Sequence, residues 1–471
     1  MLPIIQNYSV YPSVVLADTP TEMTIVPNER AFLLFEGEEY SITVISVNSD
    51  ETFYYKPKSH KHLTAVASGG VLRFTYTFSG EGEHLIRLEH SGKNLHTMCI
   101  YSLYSDLHAL TPLRGDLHSH SYRSDGKGDP VALAGHFREQ GYDFFALTDH
   151  NRFYPGGEID EAYDGVKLAF TRVKGEEVHT PESVVHIVHV GGNHSVAELY
   201  VNHREEYEAS LAQYLTKVPE HIPEKYRARY AAAMWSTDRI HEAGGIAIFP
   251  HPFWRPSASS VYNVCDELAL LLLKSGMFDA YEVVGAMSQP DSNRSVAMWA
   301  DLRAEGFNIP VVASSDVHFV ENSPTFPHSF TICFAEDRDG ESIINAVKAH
   351  RSVAVEAVGE EYKRQYRCYG SMRLVSYAQF LLKNYFSNLT RICQGEGVAM
   401  RSYAMGLCDK NTVELQANQS RLFSERFFGR IEAPIPTQEI LDFEDKWRQT
   451  QLNGPKTKGS LIDSDTITRQ I

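Results

Sequence analysis

The chain has 471 residues, 43% of them hydrophobic and 22% charged, and 60 acidic against 44 basic side chains give a formal charge of −16. This length exceeds one ordinary domain and suits two or three. The acidic balance excludes a broad nucleic-acid-binding surface, which needs an excess of Lys and Arg, and no run approaches the roughly 18 apolar residues of a membrane span.

At the N-terminus, MLPIIQNYSVYPS lacks the basic start and apolar core of a secretion signal. The six cysteines show no CxxC spacing, so neither a disulfide framework nor a structural zinc site is expected. Both observations point to a cytoplasmic location. Residues 1–108 then alternate polar and apolar residues in AFLLFEG, YSITVISVN, VLRFTYTFSG, HLIRLEHSG and LHTMCIYSLY, with Gly, Asn, Ser and Asp between the runs. Period-two runs with frequent turns predict an antiparallel, β-sandwich-like domain. Such a module can bind or gate a substrate, or serve packing or oligomerisation; the sequence leaves both open.

Between 109 and 357 the rhythm changes. FFALTDH, LAFTRVKGEE, SVVHIVHVGG, GGIAIFPHP, FDAYEVVGA, IPVVASSDVH and SFTICFAED are short apolar runs, and helical patterns such as Pro223 to Ala243 and Ser292 to Gly306 lie between several of them. Strands alternating with helices predict an α/β domain with a parallel sheet, and this number of strands favours a distorted (β/α)7-type barrel over a doubly wound sheet. His150, Glu177, His251, Asp316 and His318 all fall at or just after the C-terminal end of an apolar run. In a β/α barrel that is the catalytic face. The stretch 358–450 reads as helical, as in MRLVSYAQFLLKNYFSNLTRI, and 451–471 as a polar, disordered tail.

The polar residues at these strand ends are of one chemical kind. In DLHSHS, His118 and His120 are two apart, so an extended backbone projects both to one side. Asp125 follows in SDG, where it is either a turn former or a ligand. LTDH adds Asp149 and His150, GEEVH adds Glu176, Glu177 and His179, and VVHIVHV adds His186 and His189. PHP contributes His251, and SSDVH contributes Asp316 and His318. Each alone has a structural explanation. Together they place ionisable groups at six strand ends, and burying that many without a metal would be costly. Imidazole and carboxylate together suit divalent transition metals.

DLHSHSYRSDG, ALTDHN, KGEEV, VVHIV, FPHP and SSDVH, in that order, resemble the motifs of the PHP (polymerase and histidinol phosphatase) family over about residues 112–357. The resemblance implies a distorted β/α barrel that holds two or three divalent transition metals (manganese, zinc or iron) and hydrolyses phosphate esters. The implied metal ligands are His118, His120, Asp125, His150, Glu177, His186, His251, Asp316 and His318. Of these, His118, His251, Asp316 and His318 are also the implied catalytic residues. Glu177 is chosen over Glu176 as the residue two after Gly175, and His186 on the match to VVHIV, with His179 and His189 as alternatives. The implied partition sets His118, His120, Glu177 and Asp316 around one metal. Glu177 bridges to a second with His186 and His251, and Asp125, His150 and His318 hold a third.

Arg123, Lys127 and Arg255 are candidate phosphate contacts, and each also reads as a solvated surface charge. The favoured activity is metal-dependent hydrolysis of a small phosphorylated molecule. A phosphodiesterase or exonuclease acting on oligonucleotide ends is the second reading, and a non-catalytic binding protein that uses the barrel as a scaffold is the third. Nucleic acid is expected only as a nucleotide or short oligonucleotide substrate, and no membrane partner is expected. Three features depart from the small stand-alone members of the family: the N-terminal β-domain, the helical extension and an insertion from Asn193 to Arg229.

Overall fold

The computed structural model describes residues 6–48, 60–256, 260–321, 323–359 and 365–453, so most of the expected tail at 451–471 lies outside the described residues. The first part of the chain forms β1 (Tyr8–Tyr11), β2 (Val14–Leu16), β3 (Pro20–Pro27), β4 (Glu39–Ser46), β5 (Lys61–Val66), β6 (Leu72–Thr77), β7 (Gly82–His90) and β8 (Lys93–Leu103). They make two sheets, ordered β1-β3-β6 and β2-β8-β7-β4-β5. Alternation sets the buried face: in β7, His84, Ile86 and Leu88 point inward. Ile86 and Leu88 join Met23, Ile25 and Leu72 of the other sheet in one apolar cluster, so the two sheets share a core. His84 shares a 2.9 Å hydrogen bond with Ser102 Oγ inside this core, and burial pushes its imidazole down to about 4.

The next strands are β9 (Thr111–Asp116), β10 (Phe144–Ala146), β11 (Thr171–Val173), β12 (Gly175–Val178), β13 (Ile187–Gly191) and β14 (Gly245–Phe249). They are followed by β15 (Ala280–Val284), β16 (Val311–Ala313), β17 (Ser329–Ala335), β18 (Ser352–Val358) and β19 (Gln365–Tyr369). One sheet runs β11-β10-β9-β17-β18-β19 and the other β12-β13-β14-β15-β16. Both contribute to one apolar interior that includes Leu113, Phe144, Val188, Ile248, Val312 and Cys333. Where β16, the edge of the second sheet, meets β17 and β18 of the first, hydroxyls replace backbone ladder bonds. Thr331 Oγ1 accepts from Ala313 N (3.0 Å) and donates to Ala313 O (2.7 Å), and Ser352 Oγ donates to Val311 O (2.9 Å). The other seam is closed by backbone bonds from Asn151 N to Glu177 O (2.8 Å) and from Glu177 N to Asp149 O (3.3 Å).

Two expectations need correction. The strands are not all parallel: β13 pairs antiparallel with β12 and β14, and β17 with β9 and β18. Parallel neighbours need a crossover of about a dozen residues or more, usually a helix, and residues 179–186 between β12 and β13 contain none. Nor is the stretch after 358 wholly helical, because QYRCY forms β19 and adds an edge to β18.

The C-terminal helices are built into the body. Helix Ser387–Ala404 packs on helix Pro130–Glu139 at a glycine contact: a Cβ on Gly397 would stand 2.4 Å from Gly135 O. Beside it the buried Arg138 binds Glu396 at 2.7 Å, and Glu396 also accepts from Ala169 N (2.9 Å) and Ser420 Oγ (3.0 Å). The N-terminal sheets are tied on as well, through Arg373 to Glu81 (2.5 Å) and the Tyr101 ring against Tyr377 at 5.1 Å.

Removing one partner of a buried ion pair strands the other charge, so Glu396→Ala should lower unfolding free energy by about 3–5 kcal/mol, read from urea midpoints. A change below 1 kcal/mol would show that Arg138 is satisfied without Glu396. His84 titrates lower in the folded state than its ordinary value of 6.5, reaching about 4. The unfolded chain therefore gains a proton first as pH falls, and this stabilisation, full above pH 6.5, is lost down to about pH 4. It amounts to about 3 kcal/mol at most. His84→Gln should remove that component from the pH–stability curve, and an unchanged curve would assign the loss to other groups.

Candidate metal centre

The first two histidines are fixed by the backbone that follows β9. His118 N donates to Asp116 Oδ1 (3.0 Å), His120 N donates to Val317 O (2.9 Å), and Ser119 between them bridges to Val317. Extended geometry thus turns His118 and His120 to the same side. Asp116 also accepts from Ser315 N at 3.0 Å, and its burial pushes the carboxyl up to about 7. Asp149 folds the following turn by accepting from Ser121 N (2.7 Å), Ser121 Oγ (2.6 Å) and Ser124 Oγ (2.7 Å). Gly126 lets that turn close on the strand, since a Cβ there would lie 2.5 Å from His120 O. The turn carries Asp125 to His150 (3.4 Å) and His318 (3.3 Å).

Alternation along β12 separates its two glutamates. Glu176 points away from the cluster, to His189 Nδ1 (3.2 Å), Ser195 Oγ (2.7 Å) and Val196 N (2.5 Å). Glu177 points inward, and its two oxygens face six imidazoles. His118 Nε2 (3.2 Å), His120 Nε2 (3.2 Å) and His150 Nδ1 (2.9 Å) approach Oε2. His179 Nε2 (3.4 Å), His186 Nδ1 (2.8 Å) and His251 Nε2 (3.4 Å) approach Oε1. Asp316 Oδ1 adds a second carboxylate, 3.2 Å from His118 Nε2 and 2.8 Å from His120 Nε2. Asp316 and Asn151 both adopt left-handed backbone, at φ 50° and 54°, which turns the chain sharply at two strand ends. Exposure varies across the cluster: the His118 and His120 side chains are fully buried, whereas Asp125 is 55% exposed.

All nine sequence-predicted ligands therefore converge, while His189 lies apart with Glu176. Donor atoms fall within 4.8 Å of one another in four sets: His120–Asp125–His150–His318, His118–His120–Glu177–Asp316, Glu177–His186–His251 and His150–Glu177–His179. The first three contain the expected groupings. Arg123 is held by Glu158 in a two-pronged pair (2.7 and 2.9 Å), and Arg255 is held by Asp291 (3.1 Å) and Tyr262 (3.0 Å). Lys127 donates its backbone N–H to His318 O (2.6 Å), with its ammonium 5.3 Å from the Phe319 ring centre.

The sequence reading missed Glu282, which is fully buried with Oε2 3.1 Å from His118 Nδ1. A lone acid within the apolar run AYEVV was the available signal, since a buried charge needs a partner.

Charge balance and unmet bonding describe the same demand. Burial disfavours charge on Glu177, yet the imidazoles of His118, His186 and His179 hold its carboxyl well below the usual range. Burial likewise opposes a charged His118, yet Asp316, Glu177 and Glu282 raise its imidazole well above the usual value. His150 is pushed up to about 10 against its own burial by Asp125 and Glu177, while burial wins at His186 and pushes it down to about 4. His118 Nε2, His120 Nε2, His150 Nδ1, His179 Nε2, His186 Nδ1, Asp316 Oδ1 and both Glu177 oxygens are buried without a hydrogen bond of proper geometry. Ligand bonds of about 2.0–2.1 Å in a tetrahedron set neighbouring donors about 3.3 Å apart, close to the 2.8–3.4 Å spacings around Glu177. The residues fit divalent cations.

A divalent transition metal should therefore stabilise the chelator-treated protein, by about 2.7 kcal/mol at a hundredfold excess over Kd. The thermal midpoint measures this, and an unchanged midpoint on manganese or zinc addition would mean that the unpaired donors do not form a metal site.

No family model matches the chain, and no curated protein matches it. Among solved structures it is similar to a two-domain protein from Bacteroides vulgatus described as containing a predicted PHP-like metal-dependent phosphoesterase, at 17% identity over 56% of this chain and 76% of that one, with a TM-score of 0.35. It is also similar to a proposed metal-dependent phosphoesterase from Bifidobacterium adolescentis, at 17% identity over 43% and 87% of the two chains, TM-score 0.32. A third is an amidohydrolase from Chromobacterium violaceum, at 18% identity over 45% and 89%, TM-score 0.30. The first of these carries the name of the family that the sequence motifs resemble.

Proposed function

We propose that the protein is a PHP-type metal-dependent phosphoesterase that hydrolyses a small phosphorylated substrate. The observation that carries this reading is the buried Glu177 carboxylate, faced by six imidazoles whose nitrogens have few other partners. In this reading residues 109–357 form the distorted (β/α)7-type barrel, residues 1–108 a β-sandwich-like domain and residues 358–450 an extension that braces the barrel.

His118, His120, Asp125, His150, Glu177, His186, His251, Asp316 and His318 would hold two or three cations. When bound, such cations supply Lewis acidity toward the phosphoryl oxygens and a nucleophile that is active near neutral pH. The protein's own part is to present neutral imidazole nitrogens and charged carboxylates in fixed directions. Glu282 accepts a hydrogen bond from His118 Nδ1–H, which leaves the Nε2 lone pair aimed at Glu177 and Asp316. Asp116 fixes the backbone on both sides of the cleft by accepting from His118 N and Ser315 N. Asp125 and His318 stand at the exposed rim, where substrate enters. Lys127 is the phosphate contact this reading favours, because Arg123 and Arg255 are already committed to Glu158 and Asp291.

The test is a panel of phosphomonoesters, nucleotides and short oligonucleotides assayed with manganese, alongside metal analysis of the purified protein. Hydrolysis of a small phosphomonoester is expected, with more than one transition-metal ion per chain. Asp316→Ala should lower turnover by more than about a hundredfold, the upper range for loss of an outer-shell partner, with the unfolding midpoint retained. Wild-type turnover in that variant would refute the site assignment. A chain that stays inert across the panel after metal loading would favour the scaffold reading, and preference for oligonucleotides would favour the nuclease reading.

A further inference from the structure

We infer that His179 is a tenth metal donor, acting beside Glu177 in addition to the nine ligands proposed above; the inference rests on the metal-dependent reading of this site.

A histidine in the loop after β12 is usually a solvated surface group. His179 does not behave as one. Its Nε2 is buried, lacks a hydrogen bond and lies 3.4 Å from Glu177 Oε1. Its ring is 3.6 Å from the His186 ring, centre to centre, and 4.4 Å from the His150 ring. Its donor atom falls in one set with those of His150 and Glu177.

The loop is built to keep it there. His179 N donates to Asn151 Oδ1 (2.8 Å), while Asn151 N donates to Glu177 O (2.8 Å). Tyr200 OH also bonds Asn151 Oδ1. The anchor is thus the backbone of His179, and the imidazole is left unencumbered at a fixed position. A side chain kept only for packing would not need its one buried nitrogen aimed at an unpaired carboxylate oxygen, since such an atom costs about 1–3 kcal/mol when unsatisfied.

Including His179 also makes the environment of Glu177 even. Each carboxylate oxygen then faces three imidazoles, with His118, His120 and His150 on Oε2 and His179, His186 and His251 on Oε1. The donor set of His179 is the one shared with His150 and Glu177, distinct from the Glu177–His186–His251 set, and it holds only three protein donors. Such a set must draw its remaining ligands from solvent or substrate. His179 therefore supplies the third protein donor of the position between His150 and Glu177.

The test uses the full-length protein stripped with chelator and titrated with cobalt(II), following uptake and visible absorption. His179→Ala should weaken one class of site by about tenfold or more and change the cobalt spectrum. His203→Ala, an exposed histidine beyond the cluster, should match wild type. If the alanine variant fails to fold, His179→Asn, which keeps the backbone anchor, is read in the same way. A variant with wild-type cobalt affinity and spectrum would overturn the inference while leaving the nine-ligand reading intact. Wild-type protein that takes up no metal would overturn the metal-dependent reading itself, and this inference with it.

Discussion

A buried carboxylate needs positive charge, and Glu177 is the point around which the rest of the molecule is arranged. Taking such a group out of water costs several kcal/mol even after the protein relaxes, and its side chain is 1% exposed. The chain next to β9, β10, β12, β13, β14 and β16 delivers imidazoles and a second carboxylate to this cluster. Protons on the histidines can meet the demand, and so can cations. The unpaired nitrogens favour cations, because imidazolium groups bonded to carboxylates would leave fewer buried atoms unsatisfied.

The backbone shows how this concentration of charge is tolerated. The ligand-bearing chain leaves the strands and turns at once, at Asp316 and Asn151 through left-handed backbone and at Ser121–Asp125 through hydrogen bonds to Asp149. Strands bring mostly apolar residues to the interior, and most of the polar chemistry sits just past their ends, while Glu177 and Glu282 lie within β12 and β15. The seam that pairs His150 with Glu177 is also where β12 meets the other sheet, so closing the two sheets and assembling the site are one structural event.

The part of this legible in the sequence followed from period two. HxH at His118–His120 and DxH at Asp316–His318 announced side chains on one face of extended backbone, while Glu177 was chosen over Glu176 by its place two after Gly175 in the family pattern. Period two also pairs Glu177 with His179, two residues on; the match to VVHIV drew the choice to His186, with His179 and His189 as alternatives. Strand direction was not legible, because an apolar run pairs equally well either way and only the connection decides. The absence of a helix between Val178 and Ile187 made β12 and β13 a hairpin. Glu282 was hidden for a different reason, since its partner His118 is remote in sequence and only the tertiary fold brings them together.

The C-terminal helices belong in the same account. Asp125 is the most exposed donor of the cluster and the one least constrained by burial. Its loop is held on one side by Asp149 and runs on the other into Asp129, which caps helix Pro130–Glu139 by accepting from Ala132 N (2.9 Å). That helix is in turn locked by Arg138 to Glu396, 258 residues further along the chain, and by the close glycine contact at Gly397. A rim ligand on an exposed turn can keep a fixed position only if the elements flanking it are rigid. The extension therefore acts on the cluster through the helix that follows Asp125, which gives a physical reason for C-terminal helices that contribute no donor among the described residues.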